Sequence, residues 1–254
     1  MVTLLGIPPR LEGATELLDR AGNSHREVRE NLRDLERLNR LFGGTQAILG
    51  PLRRWIAQAA EGPFTVLDVG TGAADIPRAI CDWARAHGIP LTVEALDGNE
   101  QIVAAAAEWA AAYPEIRLRR AEVPPLPYPD RSFDWALASQ VLHHLSWAQG
   151  VFLLREMGRV ARRGIIVTDV ARSRRARVLA ALGARLLARS RLTRHDAPLS
   201  LRRAFRPEEV WAMAREAGLG EATVTRHPWF RLVLTAPTQP TPRPVPGTYF
   251  LVSC

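Results

Sequence analysis

The hydrophobic positions along the chain change their period near residue 62. Before that point, leucines recur every three or four residues between arginines and glutamates, a pattern that predicts an amphipathic helix over 15–42. The pair Gly43–Gly44 is expected to end this helix, and a second helix is predicted over 51–60. Residues 1–61 are therefore interpreted as a helical segment that covers the site formed by the rest of the chain.

From residue 62 onward, short apolar runs alternate with helical patterns. The first run, Phe64–Val69, ends in a glycine turn and is typical of a parallel strand buried on both faces. The alternation predicts an α/β fold with a doubly wound, mostly parallel seven-stranded sheet spanning 62–236. The predicted strands are 64–69, 91–96, 116–120, 133–138, 164–169, 222–226 and 229–235. The predicted helices are 75–87, 99–112 and 146–161, followed by one that begins at Pro207.

Two segments depart from this alternation. Residues 171–206 form an arginine-rich helical insertion in which Asp196 is the sole carboxylate, and we expect it to act as a lid. As a solvated amphipathic helix it needs no partner; alternatively, it contacts an acidic carrier, a neighbouring synthase, a membrane surface or RNA. The tail, 237–254, is rich in proline and is predicted to be disordered.

Composition narrows the choice of partners and compartment. The net charge of +8 comes entirely from arginine, since the chain has no lysine, and few aromatic residues accompany the basic block. Nucleic acid is therefore not the expected partner. Two cysteines provide neither a disulfide framework nor a metal cluster, and no metal is expected. No apolar run approaches the ~20 residues of a membrane span, and no signal peptide is apparent, so a cytoplasmic protein is expected.

The strongest chemical signal is the glycine turn that follows the first predicted strand, Asp68-Val69-Gly70-Thr71-Gly72-Ala73-Ala74-Asp75. Glycines allow a ligand to approach main-chain N–H groups at the start of the next helix. A dinucleotide site would have a third glycine, whereas this chain has Ala74 followed by Asp75, a carboxylate that repels phosphate. The turn therefore favours a cationic ligand.

Three further segments leave strands at the same edge of the predicted sheet. Asp97 ends the second strand, where it either accepts hydrogen bonds from ribose hydroxyls or caps the helix that starts near Asn99. A proline-rich loop begins at Glu122, and Ser139–Leu145 follow the fourth strand. In doubly wound sheets the ligand crevice lies outside the carboxyl ends of the strands, where these segments converge.

Taken together, these segments resemble the class I S-adenosylmethionine-dependent methyltransferases, in particular the type 11 and UbiE-like group. The matching pieces are Val66–Gly72, Asp97, the run Leu126-Pro-Tyr-Pro-Asp-Arg-Ser-Phe-Asp134, and Leu142-His143-His144-Leu145. More loosely, residues 31–44, 161–174 and 191–205 resemble methyltransferases found beside type III polyketide synthases.

The resemblance implies S-adenosylmethionine as the cofactor and a set of residues that bind it. Those residues are Asp68, Gly70, Gly72, Asp97, Glu122, Val123, Ser139 and Gln140. Asp97 is implied to bind the ribose, and Val123 to offer its amide to the adenine. Ala74 replaces the third glycine common in the family, and Glu122 is one methylene longer than its usual counterpart.

The implied reaction is direct displacement at a sulfonium methyl group, in which the protein aligns the reactants and excludes water. The expected acceptor is small and largely apolar, with O-methylation of a phenolic or polyketide-type hydroxyl favoured. The close alternative is C-methylation of a quinol or polyketide ring. An RNA methyltransferase and a cofactor-binding module without turnover are more distant alternatives. Both a monomer and a homodimer are compatible with the sequence.

A phenolic acceptor would gain from a nearby base, and three histidines are candidates. His143 and His144 are close to the predicted site along the chain, although each could instead pack or bind the backbone. His195, which stands beside Asp196, would reach the site only if 171–206 folds over it.

Overall fold

A seven-stranded sheet forms the centre of the computed structural model, which describes residues 9–20, 22–59 and 62–238. The strands are β1 (Phe64–Val69), β2 (Leu91–Asp97), β3 (Ile116–Arg120), β4 (Phe133–Ser139), β5 (Ala161–Val170), β6 (Thr223–His227) and β7 (Arg231–Pro237). Their order is β3-β2-β1-β4-β5-β7-β6. Strands β1 to β5 are parallel, and β7 runs antiparallel to both β5 and β6. The predicted doubly wound, mostly parallel sheet is confirmed.

Helices cover both faces of this sheet. They are α1 (His25–Leu41), α2 (Gly44–Gln58), α3 (Asp75–Ala86), α4 (Glu100–Trp109), α5 (Trp147–Val160), α6 (Arg174–Leu187), α7 (Arg191–Arg203) and α8 (Pro207–Glu216). Side chains alternate between faces along each strand. Val66 of β1 accordingly packs in a core with α2 and α3, whereas its neighbour Leu67 packs in another with α5 and α8. No helix in the described ranges is both long and apolar enough to cross a membrane.

The helices before β1 do not follow the predicted boundaries. The helix predicted over 15–42 begins only at His25, because Ser24 and Glu27 form a reciprocal capping box there. The helix predicted over 51–60 begins at Gly44 and contains Pro51. Its first turns bury Ile48 and Leu49 against the sheet. That packing outweighs the helix hydrogen bond lost at proline.

The arginine-rich insertion contains two helices where one was predicted. Helix α6 ends before Ala188, and α7 starts after Ser190, whose hydroxyl accepts a hydrogen bond from the Leu192 N–H group. Helix α1 stabilises this break, because its Asp34 carboxylate accepts hydrogen bonds from the Arg189 and Ser190 N–H groups. Most of the tail predicted to be disordered, 237–254, lies outside the described residues.

Candidate functional site

A cleft of about 520 Å³ opens at the carboxyl ends of β1, β2 and β4, where the strand order reverses. Its volume lies within the range of about 300–1,000 Å³ that small-molecule sites occupy. Loops after β1, β2, β3 and β4 line it, together with parts of α1, α7 and the segment before α1. The structure brings all eight residues predicted for cofactor binding to this cleft: Asp68, Gly70, Gly72, Asp97, Glu122, Val123, Ser139 and Gln140.

The glycine turn between β1 and α3 shapes the floor of the cleft. Gly70 has φ +71°, and a Cβ atom there would lie 2.5 Å from Cγ2 of Val141. The absence of a side chain at residue 70 therefore allows the loop after β4 to pack closely against the turn. Gly72 has φ +54°, and a Cβ atom there would meet no protein atom within 4 Å. The space beside Gly72 is therefore open to a ligand. Ala74, which replaces the third glycine, also adopts a positive φ of 52°.

Asp97 links this turn to the loop after β2. One carboxylate oxygen accepts a hydrogen bond from the Gly72 N–H group at 3.0 Å, and the other accepts one from the Asn99 N–H group at 3.0 Å. Helix α4 is capped by the Asn99 side chain instead, so Asp97 is not its cap. Each carboxylate oxygen can accept a further hydrogen bond, which leaves Asp97 able to bind a ligand hydroxyl.

The cleft is strongly acidic although the whole chain is basic. Six carboxylates line it, and within the described parts of the chain no arginine does. They are Glu16, Asp19, Asp68, Asp75, Asp97 and Glu122. Burial raises the pKa of Asp68 to about 7, and the charges of Asp75 and Asp97 add to the shift. Burial also raises the pKa values of Asp75 and Asp97. A positively charged ligand would offset the cost of ionising these buried groups.

We expect Asp68→Asn to stabilise the ligand-free protein at high pH. Burial raises the pKa of Asp68 in the folded state from the ordinary value of 3.8 to about 7. The unfolded chain therefore ionises first, and the folded state loses relative stability as the pH rises between these values. The variant removes that cost, so its free energy of unfolding should exceed that of the wild type by about 2–4 kcal/mol at pH 8, with little difference near pH 4.

Urea unfolding across this pH range measures the effect. Asp82→Asn, which changes an exposed carboxylate of α3 outside the cleft, is the matched control. A loss of stability in Asp68→Asn that is equal at both ends of the range would contradict the prediction.

The two adjacent histidines differ in their environments. His143 is buried, and its Nδ1 lies 2.7 Å from Asp169 Oδ1, while its Nε2 lies 3.5 Å from Glu16 Oε1. Burial alone would lower the pKa of His143, but Asp169 and Glu16 raise it to about 10. His143 therefore keeps its proton near neutral pH and is poorly suited to act as a base. His144 also lines the cleft, with 28% of its side chain exposed and its Nδ1 3.0 Å from Asp19 Oδ2.

His195 lies apart from the other two histidines. Its ring is 48% exposed and lines a separate surface depression next to residues 13–15. Its neighbour Asp196 is buried and accepts hydrogen bonds from the Leu17 and Leu18 N–H groups at 2.8 and 3.1 Å. Asp196 therefore fastens the segment before α1 to α7, and α7 contributes Ser200 to the cleft.

The N-terminal part brings further residues to the cleft that were not predicted from the sequence. Glu16 and Asp19 precede α1, and Asn39 lies near its end. Asn39 donates to Asp75 Oδ2 and accepts from the Gln140 side chain at 2.7 Å. Its position was detectable, since residue 39 continues the apolar face that contains Leu32 and Leu35, and a polar residue there is out of place.

Known proteins resemble this chain in part of its sequence and in its fold. A family model described as a methyltransferase domain matches residues 66–164. Proteins of curated function give no significant match. The fold is similar to that of a SAM-dependent methyltransferase from Aquifex aeolicus, with 20% identity, a TM-score of 0.59, and coverage of 83% of this chain and 98% of the other.

Two further solved structures share the fold. One is magnesium protoporphyrin IX methyltransferase from Synechocystis PCC 6803 with bound SAH, at 17% identity and a TM-score of 0.54, covering 77% of this chain and 83% of the other. The other is the CMeT domain of the citrinin polyketide synthase, at 16% identity and a TM-score of 0.56, covering 73% of this chain and 49% of the other. At these identities the likeness concerns the fold.

Proposed function

We propose that this chain is an S-adenosylmethionine-dependent methyltransferase that acts on a small, largely apolar acceptor, and that the acceptor is a phenolic or polyketide-type hydroxyl. The match of residues 66–164 to a methyltransferase-domain model supports the proposed class. The main support for this proposal is the acidic cleft at the point where the strand order reverses. There the Asp97 carboxylate accepts a hydrogen bond from the Gly72 N–H group of the glycine turn. A cationic sulfur nucleoside has the charge that such a cleft favours.

The residues of the cleft fit this cofactor. The open space beside Gly72 admits the ligand, and Asp97 retains free acceptor sites for the ribose hydroxyls. Glu122 and Val123 lie in the loop after β3, where they would border the adenine. S-adenosylmethionine supplies a methyl group on a positively charged sulfur, so the protein needs no covalent chemistry of its own. Its buried carboxylates instead hold the cation and orient it.

The acceptor would lie against the wall formed by the N-terminal segment and the histidines. Leu18 and Leu35 supply apolar surface there, and Glu16, His144 and Ser200 supply polar groups. His144 is the candidate to take up the proton of an acceptor hydroxyl, because its ring reaches the cleft and is oriented by Asp19. His143, held between Asp169 and Glu16, would position its neighbour instead.

C-methylation of a quinol or polyketide ring is the second candidate function. It is supported by the similarity in fold to the CMeT domain of a polyketide synthase. RNA methylation is disfavoured, because Glu16 and Asp19 line the wall assigned to the acceptor, where their negative charge would repel a phosphate backbone.

Incubation with methyl-labelled S-adenosylmethionine and a panel of resorcinols, quinols, pyrones and tRNA tests the proposal. We expect label in a low-molecular-mass phenol or pyrone, and mass fragmentation then distinguishes oxygen from carbon as the acceptor atom. Asp97→Ala, which we expect to bind the cofactor poorly, is the negative control. Label found only in tRNA, or cofactor binding without transfer to any member of the panel, would count against it.

We also propose that the arginine-rich insertion binds to an anionic membrane surface. Helix α6 carries four arginines and no carboxylate. Several of its apolar side chains are more than half exposed, namely Val178, Leu179, Leu182 and Leu186. Trp229, 61% exposed, lines the same surface depression as Leu179. Exposed leucine flanked by arginine and tryptophan is typical of helices that lie in a lipid interface.

We expect the protein to co-sediment with vesicles that contain phosphatidylglycerol, and the bound fraction to fall as salt is added. The double variant Leu182→Glu/Leu186→Glu should bind at least about 10-fold more weakly, since it removes apolar area and adds repulsion. Leu41→Glu, at an exposed leucine of α1, is the control. Equal binding of the double variant, or equal binding to uncharged vesicles, would rule out this surface.

A further inference from the structure

Three side chains that line the cleft place potential metal-ligand atoms close to one another. A carboxylate oxygen of Glu16 and one ring nitrogen from each of His143 and His144 lie within 4.8 Å of one another. Glu16 Oε1 is 3.5 Å from His143 Nε2, and Glu16 Oε2 is 3.9 Å from His144 Nε2. Two imidazoles and one carboxylate form a ligand set that occurs in zinc and non-haem iron sites with open coordination positions.

Each imidazole is oriented by a second carboxylate. Nδ1 of His143 lies 2.7 Å from Asp169, which also accepts a hydrogen bond from the His143 N–H group. Nδ1 of His144 lies 3.0 Å from Asp19. A carboxylate that accepts from Nδ1 leaves Nε2 to face the ligand, and the same carboxylate–histidine pairing orients histidines that bind metals. Both Nε2 atoms accordingly face Glu16.

Glu16 is itself fixed in place. It is buried, and Oε1 accepts a hydrogen bond of 2.7 Å from the Ser200 hydroxyl. With both imidazoles neutral, Glu16, Asp19 and Asp169 would carry three negative charges around the two rings, and two of these carboxylates, Glu16 and Asp169, are buried. A divalent cation offsets this charge more fully than a single proton does.

We propose that Glu16, His143 and His144 bind one divalent first-row transition-metal ion, with Zn²⁺ as the representative. All three residues line the cleft, so the remaining coordination positions would face it. The mixed nitrogen and oxygen ligands favour such ions over Mg²⁺, which prefers oxygen alone. As the ion binds, the proton on Nε2 of His143 leaves to solvent.

One consequence rests on the proposed function. A cation at this point would hold the hydroxyl oxygen of the acceptor and lower its pKa, so that the hydroxyl proton would be lost to solvent instead of being taken up by His144. The binding site itself does not depend on methyl transfer, because its ligands are all outside the eight residues that would hold the cofactor.

Titration of the chelator-stripped full-length protein with Zn²⁺, followed by calorimetry without cofactor or acceptor, tests the site directly. We expect one ion per chain with a Kd of about 1 μM or tighter, and clearly weaker binding of Mg²⁺. His144→Ala should weaken Zn²⁺ binding by at least 10-fold, and Asp19→Asn by about 10-fold through loss of ring orientation. His195→Ala, at a histidine also paired with an aspartate but outside the cleft, should bind as the wild type does.

Elemental analysis after gel filtration gives an independent count of zinc per chain. If His144→Ala does not fold, Glu16→Gln and Asp19→Asn provide the same comparison. The absence of a one-to-one binding event, or unchanged affinity in the ligand variants, would overturn the proposal. The cluster would then be an ion pair between protonated His143 and the carboxylates of Glu16 and Asp169. Failure of methyl transfer with zinc binding intact would contradict the proposed function alone.

Discussion

Replacing Asp97 with alanine is expected to weaken S-adenosylmethionine binding by about 100-fold or more. Two hydrogen bonds from ribose hydroxyls to a carboxylate contribute about 1.5–3 kcal/mol each, and about 1.4 kcal/mol corresponds to a factor of ten in affinity. The substitution also removes the acceptor of the Gly72 and Asn99 N–H groups, so the glycine turn and the loop after β2 lose their link. Calorimetric titration with the cofactor measures the change.

Two further variants separate the ligand contact from this structural effect. Asp97→Asn keeps one side-chain oxygen as acceptor and should fall between the wild type and Asp97→Ala. Asp82→Asn changes an exposed carboxylate outside the cleft and should leave the Kd within about 2-fold, since surface substitutions have small effects. Wild-type affinity in Asp97→Ala would show that the nucleoside does not bind at this turn.

His144→Ala is expected to lower kcat by about 10²–10⁴-fold, the usual contribution of a positioned acid or base. The cofactor Kd should stay within about 2-fold, because His144 lies on the wall assigned to the acceptor. His195→Ala should keep wild-type turnover, since its ring lines a different depression. Steady-state kinetics with the acceptor identified by labelling, beside cofactor titration, gives both quantities.

An unchanged kcat in His144→Ala would remove both catalytic roles considered for this side chain, proton acceptor and ligand of an ion that activates the acceptor, while zinc binding itself is decided by the titration. If turnover falls together with zinc content, the loss follows from the metal. If turnover falls in stripped protein and zinc has no effect on the wild type, His144 acts as the base.

The central part of the fold was predictable because its signals are local. The run Phe64–Val69, the glycine turn after it and the return of an apolar strand near residue 91 each follow from short-range sequence pattern. The parallel sheet then places the strand ends together, so Asp68, Asp97 and Ser139 share one cleft although they are far apart in sequence.

The N-terminal part was not predictable to the same degree, because long-range contacts determine it. The start of α1 depends on a capping box that a helical-period argument overlooks. Asp196, about 180 residues away, holds the backbone of Leu17 and Leu18 and so helps to place Glu16 and Asp19 at the cleft. No property of the sequence near residue 16 indicates that partner.

We expect the same anchor to affect how a ligand leaves the cleft. The Asp196 carboxylate and the hydrogen bond between Ser200 and Glu16 join the segment before α1 to α7, so the two must shift as one piece. A molecule that leaves past Glu16 requires these contacts to break together. Residence time in the cleft should therefore depend on Asp196, a residue that contacts neither reactant, and weakening it should shorten that time.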